Sequence, residues 1–253
     1  MRRLLHGHVW AVYSFLYAPI VVLVLFSFNQ SKRNAVWKGF TLDWYRQLFA
    51  DTEVMTSFGK SLEIAGIATV MATIIGTMAA LALSRYRFKG RDLVATSLYL
   101  PMVIPEVVMG VSILTFFVSM KVTLGLFTLI LAHVAFCISF VTVVVNARLQ
   151  GFNRVLEEAA ADLGASPWVT MWKVTLPLIL PGIVSGALLS FTLSFDDFVV
   201  TFFNSGAGTT TLPIKVYSML KFGVTPVINC VSTLMILITF ALVLVSQRLQ
   251  REN

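Results

Sequence analysis

Charge is scarce in this sequence. Asp, Glu, Lys and Arg make up 12% of its 253 residues, about half the ~25% usual for a soluble domain, which excludes an ordinary water-soluble fold. Cysteine is rarer still. Cys137 and Cys230 both fall within apolar runs, where a free thiol behaves as a small buried hydrophobe, so a disulfide framework or a cysteine metal cluster is not expected. No metalloprotease histidine pair and no nucleophile elbow occurs, and neither a catalytic residue nor a metal ligand is expected. Gly59-Lys60-Ser61 copies the end of a phosphate-binding loop. That motif needs a glycine five positions earlier, and Val54 stands there, so the chain is not expected to bind a nucleotide itself.

Apolar residues are abundant, at 57%. A membrane span needs about 20 of them, and six stretches qualify: Val9–Phe28, Leu62–Leu83, Leu93–Val118, Leu124–Val145, Leu178–Phe203 and Val227–Val245. The expected fold is all-α, a six-transmembrane-helix bundle with no soluble domain. Residues 1–28 mimic a signal peptide, with Arg2 and Arg3 before an apolar run. The run is too long for that, and "FSFNQSKR" offers no small-x-small cleavage site, so it reads as an uncleaved first helix.

The net charge of +7 suggests nucleic acid until its distribution is followed. Arg85, Arg87, Lys89 and Arg91 crowd "RYRFKGRD", the short connection between helices two and three. Such clusters in short loops mark the cytoplasmic side. Counted by alternate sides, the termini, this connection and the 146–177 loop carry eleven Lys and Arg, against eight on the other side, five of those in one long loop. Both termini are therefore expected in the cytoplasm.

The outer segment after helix one holds Trp37, Trp44 and Tyr45, which suit a membrane-interface or docking surface. Helix two is rich in Gly, Ala, Ser and Thr, small residues that let helices approach closely, and is expected inside the bundle. Pro101 and Pro105 are expected to break helix three, freeing carbonyls that need partners. Helix five is expected to start after Pro177 and Pro181.

The 146–177 loop is polar and helix-prone. In "NRVLEEAAADLG", Asn153 suits an N-cap, Glu157 and Glu158 lie near the positive helix end, and Leu156, Ala159, Ala160 and Leu163 share a face. Gly164 suits the left-handed stop. A second helix follows at once, with Ser166 as cap, Pro167 in its first turn, and a stripe of Trp168, Met171, Trp172 and Thr175. Two tryptophans in such a loop need cover: they either lie back on the membrane surface or form a plug for a partner.

These residues carry a resemblance. "EAAADLGASPWVTMWKVTLP" resembles the EAA loop of ABC-importer permeases, with Glu158-Ala159-Ala160, Gly164, Val174 and Leu176-Pro177 in the motif's places. The resemblance implies a type I importer permease fold and a coupling helix seated in a groove of a cytoplasmic ATPase. It makes Glu158, Ala159, Ala160, Gly164, Leu176 and Pro177 the ATPase-coupling residues. It also implies a homologous second permease subunit, an ATPase dimer that binds the ATP and magnesium, and an extracytoplasmic substrate-binding protein. This chain would have no cofactor of its own and no catalytic role. Residues 1–56 would hold the first helix and outer loop, 57–247 the permease core with its coupling loop at 151–177, and 248–253 a cytoplasmic tail. A narrower resemblance, through "WKGFTLDWY", "LAHVAFC", "LSFTLSFDDFVVTFF" and "TTTLPIKVYSMLKFGVTP", is to the smaller permease subunit of spermidine/putrescine importers. One departure is Val227, where that subfamily has an acid before Ile228-Asn229.

Charges inside apolar helices are costly and default to function. Glu106 follows Pro105, and Asp196 and Asp197 lie in "SFDDF". At 1.5 Å per residue, Glu106 falls roughly 20 Å and Asp196 roughly 27 Å from the cytoplasmic side. The expected substrate path is lined by Glu106, Asp196 and Asp197, with rings such as Phe191, Phe195 and Phe198 beside a cationic amine. Two acids adjacent on a helix point ~100° apart, so both cannot face one lumen equally; depth makes Asp196 and Glu106 the first choices for the path and Asp197 the packing acid. His133 is expected to bridge helices, and Glu63 to be solvated. Other readings are a permease for an amino-acid derivative or ferric ion, a proton-coupled secondary transporter, and an intramembrane enzyme. The second needs inverted repeats, and none is visible; the third needs a constellation that His133 and scattered acids do not supply.

Overall fold

The computed structural model describes residues 2–31, 36–221, 223 and 225–251. Lys32 and Arg33, counted above among the outer cations, and Val224 of the "KFGVTP" segment lie outside the described residues, as do Met1, Glu252 and Asn253. The described elements are helical: α1 (Arg2–Phe26), α2 (Asp43–Ala50), α3 (Thr52–Arg85), α4 (Arg91–Val103), α5 (Glu106–Ser119), α6 (Leu126–Gln150), α7 (Val155–Asp162), α8 (Pro167–Thr170), α9 (Leu176–Phe195), α10 (Val199–Asn204), α11 (Leu212–Lys221) and α12 (Pro226–Arg251). The one extended pairing among the described residues is an isolated antiparallel bridge between Asn29 and Phe40. Among the described residues, five helices are long and apolar enough to cross a membrane, and six if α4 and α5 form one broken span.

The chain divides into two compact units. The first comprises Met1–Phe58 and Leu212–Thr239. Here the described residues that follow α1 are organised by Asn29, which is fully buried. Its side chain donates to the Val36 carbonyl at 2.9 Å and accepts from the Lys38 amide at 2.9 Å, while the Trp44 indole donates to its carbonyl at 2.8 Å. Tyr45 shares a 2.7 Å hydrogen bond with Ser27, and the Cys230 thiol donates to the Ser27 carbonyl. Trp44 and Tyr45, both half-buried, thus fasten this loop; Trp37, half-exposed, meets Phe26 edge-on.

The second unit comprises Gly59–Thr211 and Phe240–Asn253. Its core forms around α6, whose Ala132, Cys137, Val141 and Val145 are buried. The small residues of α3 serve close packing, as expected. A Cβ added at Gly76 would lie 2.8 Å from Val141 Cβ, and Thr142 Oγ1 donates to the Gly76 carbonyl at 3.3 Å. Gly59-Lys60-Ser61 lies inside α3, with Lys60 paired to Glu63 at 2.8 Å. A helix interior has no free amides with which to cradle phosphate.

Three helix boundaries differ from expectation. Pro101 lies inside α4; the break falls at Ile104-Pro105, where the chain bends by 116°. Pro177 and Pro181 lie inside α9 rather than before it, because a π-helical turn at Met171–Thr175 joins α8 to α9. There the Leu176 amide donates to the Met171 carbonyl five residues back. That wider turn accommodates Pro177, which has no N–H to give and would crowd the carbonyl four residues earlier. Finally, the expected span to Phe203 is interrupted: α9 ends at Phe195, and α10 begins at Val199.

Candidate functional site

Both interruptions in the apolar helices open onto one cavity of about 430 Å³. The break after Pro105 places Glu106 in the first turn of α5, and the break after Phe195 places Asp196 and Asp197 between α9 and α10. All three acids line this cavity, with Met102, Phe140 and Phe198 among the apolar walls. Two acids 90 residues apart in sequence thereby line one cavity.

The adjacent aspartates have different environments. Asp197 is a cap. Its carboxylate accepts from the Thr201 amide at 2.8 Å, the Val200 amide at 3.3 Å and the Thr201 hydroxyl at 2.8 Å, and its side chain is 7% exposed. His133, on α6 and 1% exposed, stands behind it. Its Nε2 lies 3.0 Å from Thr201 Oγ1, and its Nδ1 lies 2.7 Å from Ser194 Oγ. Thr201 has a single hydroxyl proton, which goes to Asp197, so it must accept from His133 Nε2–H. Nδ1 is then free to accept from Ser194. One ring proton satisfies the whole chain Ser194–His133–Thr201–Asp197, which ties α6 to both sides of the helix break. The expected helix-bridging role of His133 is met, and it fixes where the break falls.

Asp196 differs on each count. It is exposed to the cavity, and no other residue's donor reaches its carboxylate among the described residues. Glu106 is likewise exposed and unpaired among them. Since the backbone breaks at this point, the 100° rule for helix neighbours does not apply; a turn, not a helix, separates the two carboxylates. Phe195, expected beside the path, lies away from this cavity. It is 1% exposed and stacks on Phe191 at 5.9 Å, so the ring that lines the cavity is Phe198. The reason is that Phe195 still belongs to α9 and turns with it into the packed interior.

The second feature is the folded loop at 151–177. Asn153 Oδ1 accepts from the Val155 amide at 3.1 Å, and α7 starts at Val155, one residue later than an Asn153 N-cap implies. Ser166 caps α8 by accepting from Val169 at 3.4 Å, with Pro167 following. Gly164 holds φ +84° between them, the left-handed stop expected. Ala159 is exposed and Ala160 half-buried, while Leu176 and Pro177 form the first turn of α9. Leu163 is 89% exposed and Trp168 71%, with Trp168 and Trp172 meeting edge-on at 5.7 Å. The loop therefore presents a folded apolar surface outward.

The tether of this loop was not anticipated. Glu157 is held by the Arg85 guanidinium and the Thr175 hydroxyl, and Arg85 also donates to Thr175 at 3.1 Å. Arg154 donates to the Ser84 carbonyl at 3.1 Å. The end of α3 thus grips both ends of the loop. Glu158, the acid of the sequence motif, points outward and is exposed, whereas its neighbour Glu157 carries the ion pair. Nothing in the Glu157-Glu158 pair signals which acid finds a partner 72 residues away.

Residues 72–251 match the family described as binding-protein-dependent transport system inner membrane component. The chain belongs to this family. It is 44% identical over 248 residues to the spermidine/putrescine transport system permease protein PotC of Haemophilus influenzae, covering 98% of this chain and 96% of that protein. It is 45% identical over 231 residues to the putrescine transport system permease protein PotI of Escherichia coli K12, covering 88% and 82%. Among solved structures, a bacterial ABC transporter involved in alginate import matches with a TM-score of 0.75 at 20% identity, over 99% of this chain and 94% of that one. The methionine transporter MetNI in an inward-facing conformation matches at 0.62 and 19%, over 84% and 99%. The fold of this permease is that of the type I ABC importers.

Proposed function

We propose that this permease forms half of a translocation path for polyamines such as spermidine and putrescine in the bacterial inner membrane. The observation that carries the reading is the pairing of two unpartnered carboxylates, Glu106 and Asp196, in one cavity built by two helix breaks. Unpaired acids at membrane depth favour a cationic passenger. A flexible polycation bridges them without a fixed geometry, and Phe198 offers a ring face to its ammonium groups. The names of PotC and PotI, at 44% and 45% identity, support the same solute class.

The exposed apolar surface around Leu163 and Trp168 supports docking on a cytoplasmic ATPase pair, which binds the ATP and magnesium; the permease supplies no catalytic group. Glu158, Ala159, Ala160 and Gly164 face that partner, and Leu176 and Pro177 pass its motion into α9. The termini then lie in the cytoplasm, a second homologous permease completes the path, and a binding protein on the outer side delivers the solute. The test is to isolate the tagged protein from its native membrane, identify what co-purifies, and measure which amines the soluble partner binds. Recovery of an ATPase, a second permease and a polyamine-binding protein is expected. A binding partner that takes an amino acid or ferric ion, and no polyamine, would overturn the substrate assignment.

A further inference from the structure

The connection from α3 to α4 reads Arg85-Tyr86-Arg87-Phe88-Lys89-Gly90-Arg91. Two of its four cations are consumed by the fold. Arg85 holds Glu157 and Thr175. Arg91 donates from Nε at 3.0 Å and from Nη2 at 2.8 Å to the Leu83 carbonyl. The other two, Arg87 and Lys89, are exposed and form no ion pair among the described residues. They alternate with two exposed rings, Tyr86 at 66% and Phe88 at 42%.

Solvated cations alone are unremarkable; the exposed rings beside them are not. Five residues separate the ends of α3 and α4, so at most ~18 Å of chain is available. The connection stays at the end of the apolar helices, at headgroup depth. Amphipathic rings settle in that layer, and long cationic side chains lay their stems along apolar surface while their heads stay at the boundary. A guanidinium fork and an adjacent ammonium match the oxygens of a phosphate diester. An acidic protein surface would satisfy the cations but leave the two rings without a reason to be outside.

We infer that Arg87 and Lys89, flanked by Tyr86 and Phe88, bind the phosphate of an anionic phospholipid in the leaflet on the side of the 151–177 loop. The bound lipid sits next to Arg85 and so steadies the strut between α3 and that loop. The inference does not depend on which solute is carried.

The test uses the intact transporter complex, purified in detergent and titrated with short-chain phosphatidylglycerol or phosphatidylcholine, each binding step being read by native mass spectrometry. Wild type is expected to prefer phosphatidylglycerol, and Arg87→Gln/Lys89→Gln to lose that preference at one site by roughly thirty-fold, which is about 2 kcal/mol. Arg87→Lys/Lys89→Arg should retain it, and added salt should weaken it. An unchanged preference in the glutamine variant would overturn the inference. So would loss of the ATPase from the purified complex with lipid binding intact, because the two cations would then face an acidic protein surface.

Discussion

Arg85 at the end of α3 and Glu157 in the first turn of α7 form an ion pair that also engages Thr175, just before α9. The pair is three-quarters buried on each side, at 24% and 21% exposure. A charge-assisted contact of this kind contributes about 1.5–3 kcal/mol. It turns a surface loop into a strut between two membrane helices. Replacing Glu157 by Gln keeps the shape and removes the charge. The expected outcome in reconstituted vesicles is a several-fold fall in solute moved per ATP hydrolysed, with assembly retained. Full coupling in Glu157→Gln would show that the strut is ornamental.

Gly164 gives a sharper test, because no atom lies within 4 Å of where its Cβ would be. Any cost of substitution within this chain is therefore conformational. At φ +84°, alanine costs about 1–2 kcal/mol, while asparagine tolerates the left-handed region. Gly164→Ala should lower transport-coupled ATPase activity, and Gly164→Asn should keep most of it. Equal loss in both would point to contact with the partner rather than to backbone shape.

The two aspartates should separate in stability. Asp197→Asn replaces one acceptor oxygen by an NH2 group where three donors already converge, so donor meets donor at a buried site. That should cost about 1–3 kcal/mol and lower the melting temperature of the detergent-purified protein. Asp196→Asn, exposed and free of other residues' donors, should stay within about 0.5 kcal/mol. Equal melting curves for the two variants would remove the Ser194–His133–Thr201–Asp197 chain as the anchor of the helix break.

Gly76 packs α3 against α6. A methyl there meets Val141 at 2.8 Å and the Ile138 carbonyl at 3.1 Å, and the carbonyl is backbone that cannot turn aside. Gly76→Ala should destabilise by about 1–3 kcal/mol, read by thermal unfolding. A neutral result would mean that α3 and α6 stand further apart than described.

Much of this was legible from the chain itself. The six apolar runs, the small-residue face of α3, the Ser166-Pro167 start and the Gly164 stop all depend on residues close in sequence, whose local chemistry fixes their geometry. The Arg85–Glu157 strut was not legible, since each residue alone looks like an ordinary loop charge. Nor was the break at Asp196: in "LSFTLSFDDFVVTFF" Ser and Thr are scattered among apolar residues on both sides of the acids, and only the distant His133, bound to Ser194 and Thr201, reveals why the helix stops there. The inward turn of Phe195 was hidden for the same reason. A ring next to an acid in sequence turns inward when the backbone breaks between them.

The central claim is that Glu106 and Asp196 form one electrostatic site for a polycation. The direct measurement is initial uptake of labelled spermidine into vesicles carrying the complete transporter, for Glu106→Gln, Asp196→Asn and the double variant, with assembly checked by co-purification. At about 1.5–3 kcal/mol per charge-assisted contact, at least one single variant should fall tenfold or more, and the double variant further, with assembly intact. Wild-type uptake in all three would contradict the account.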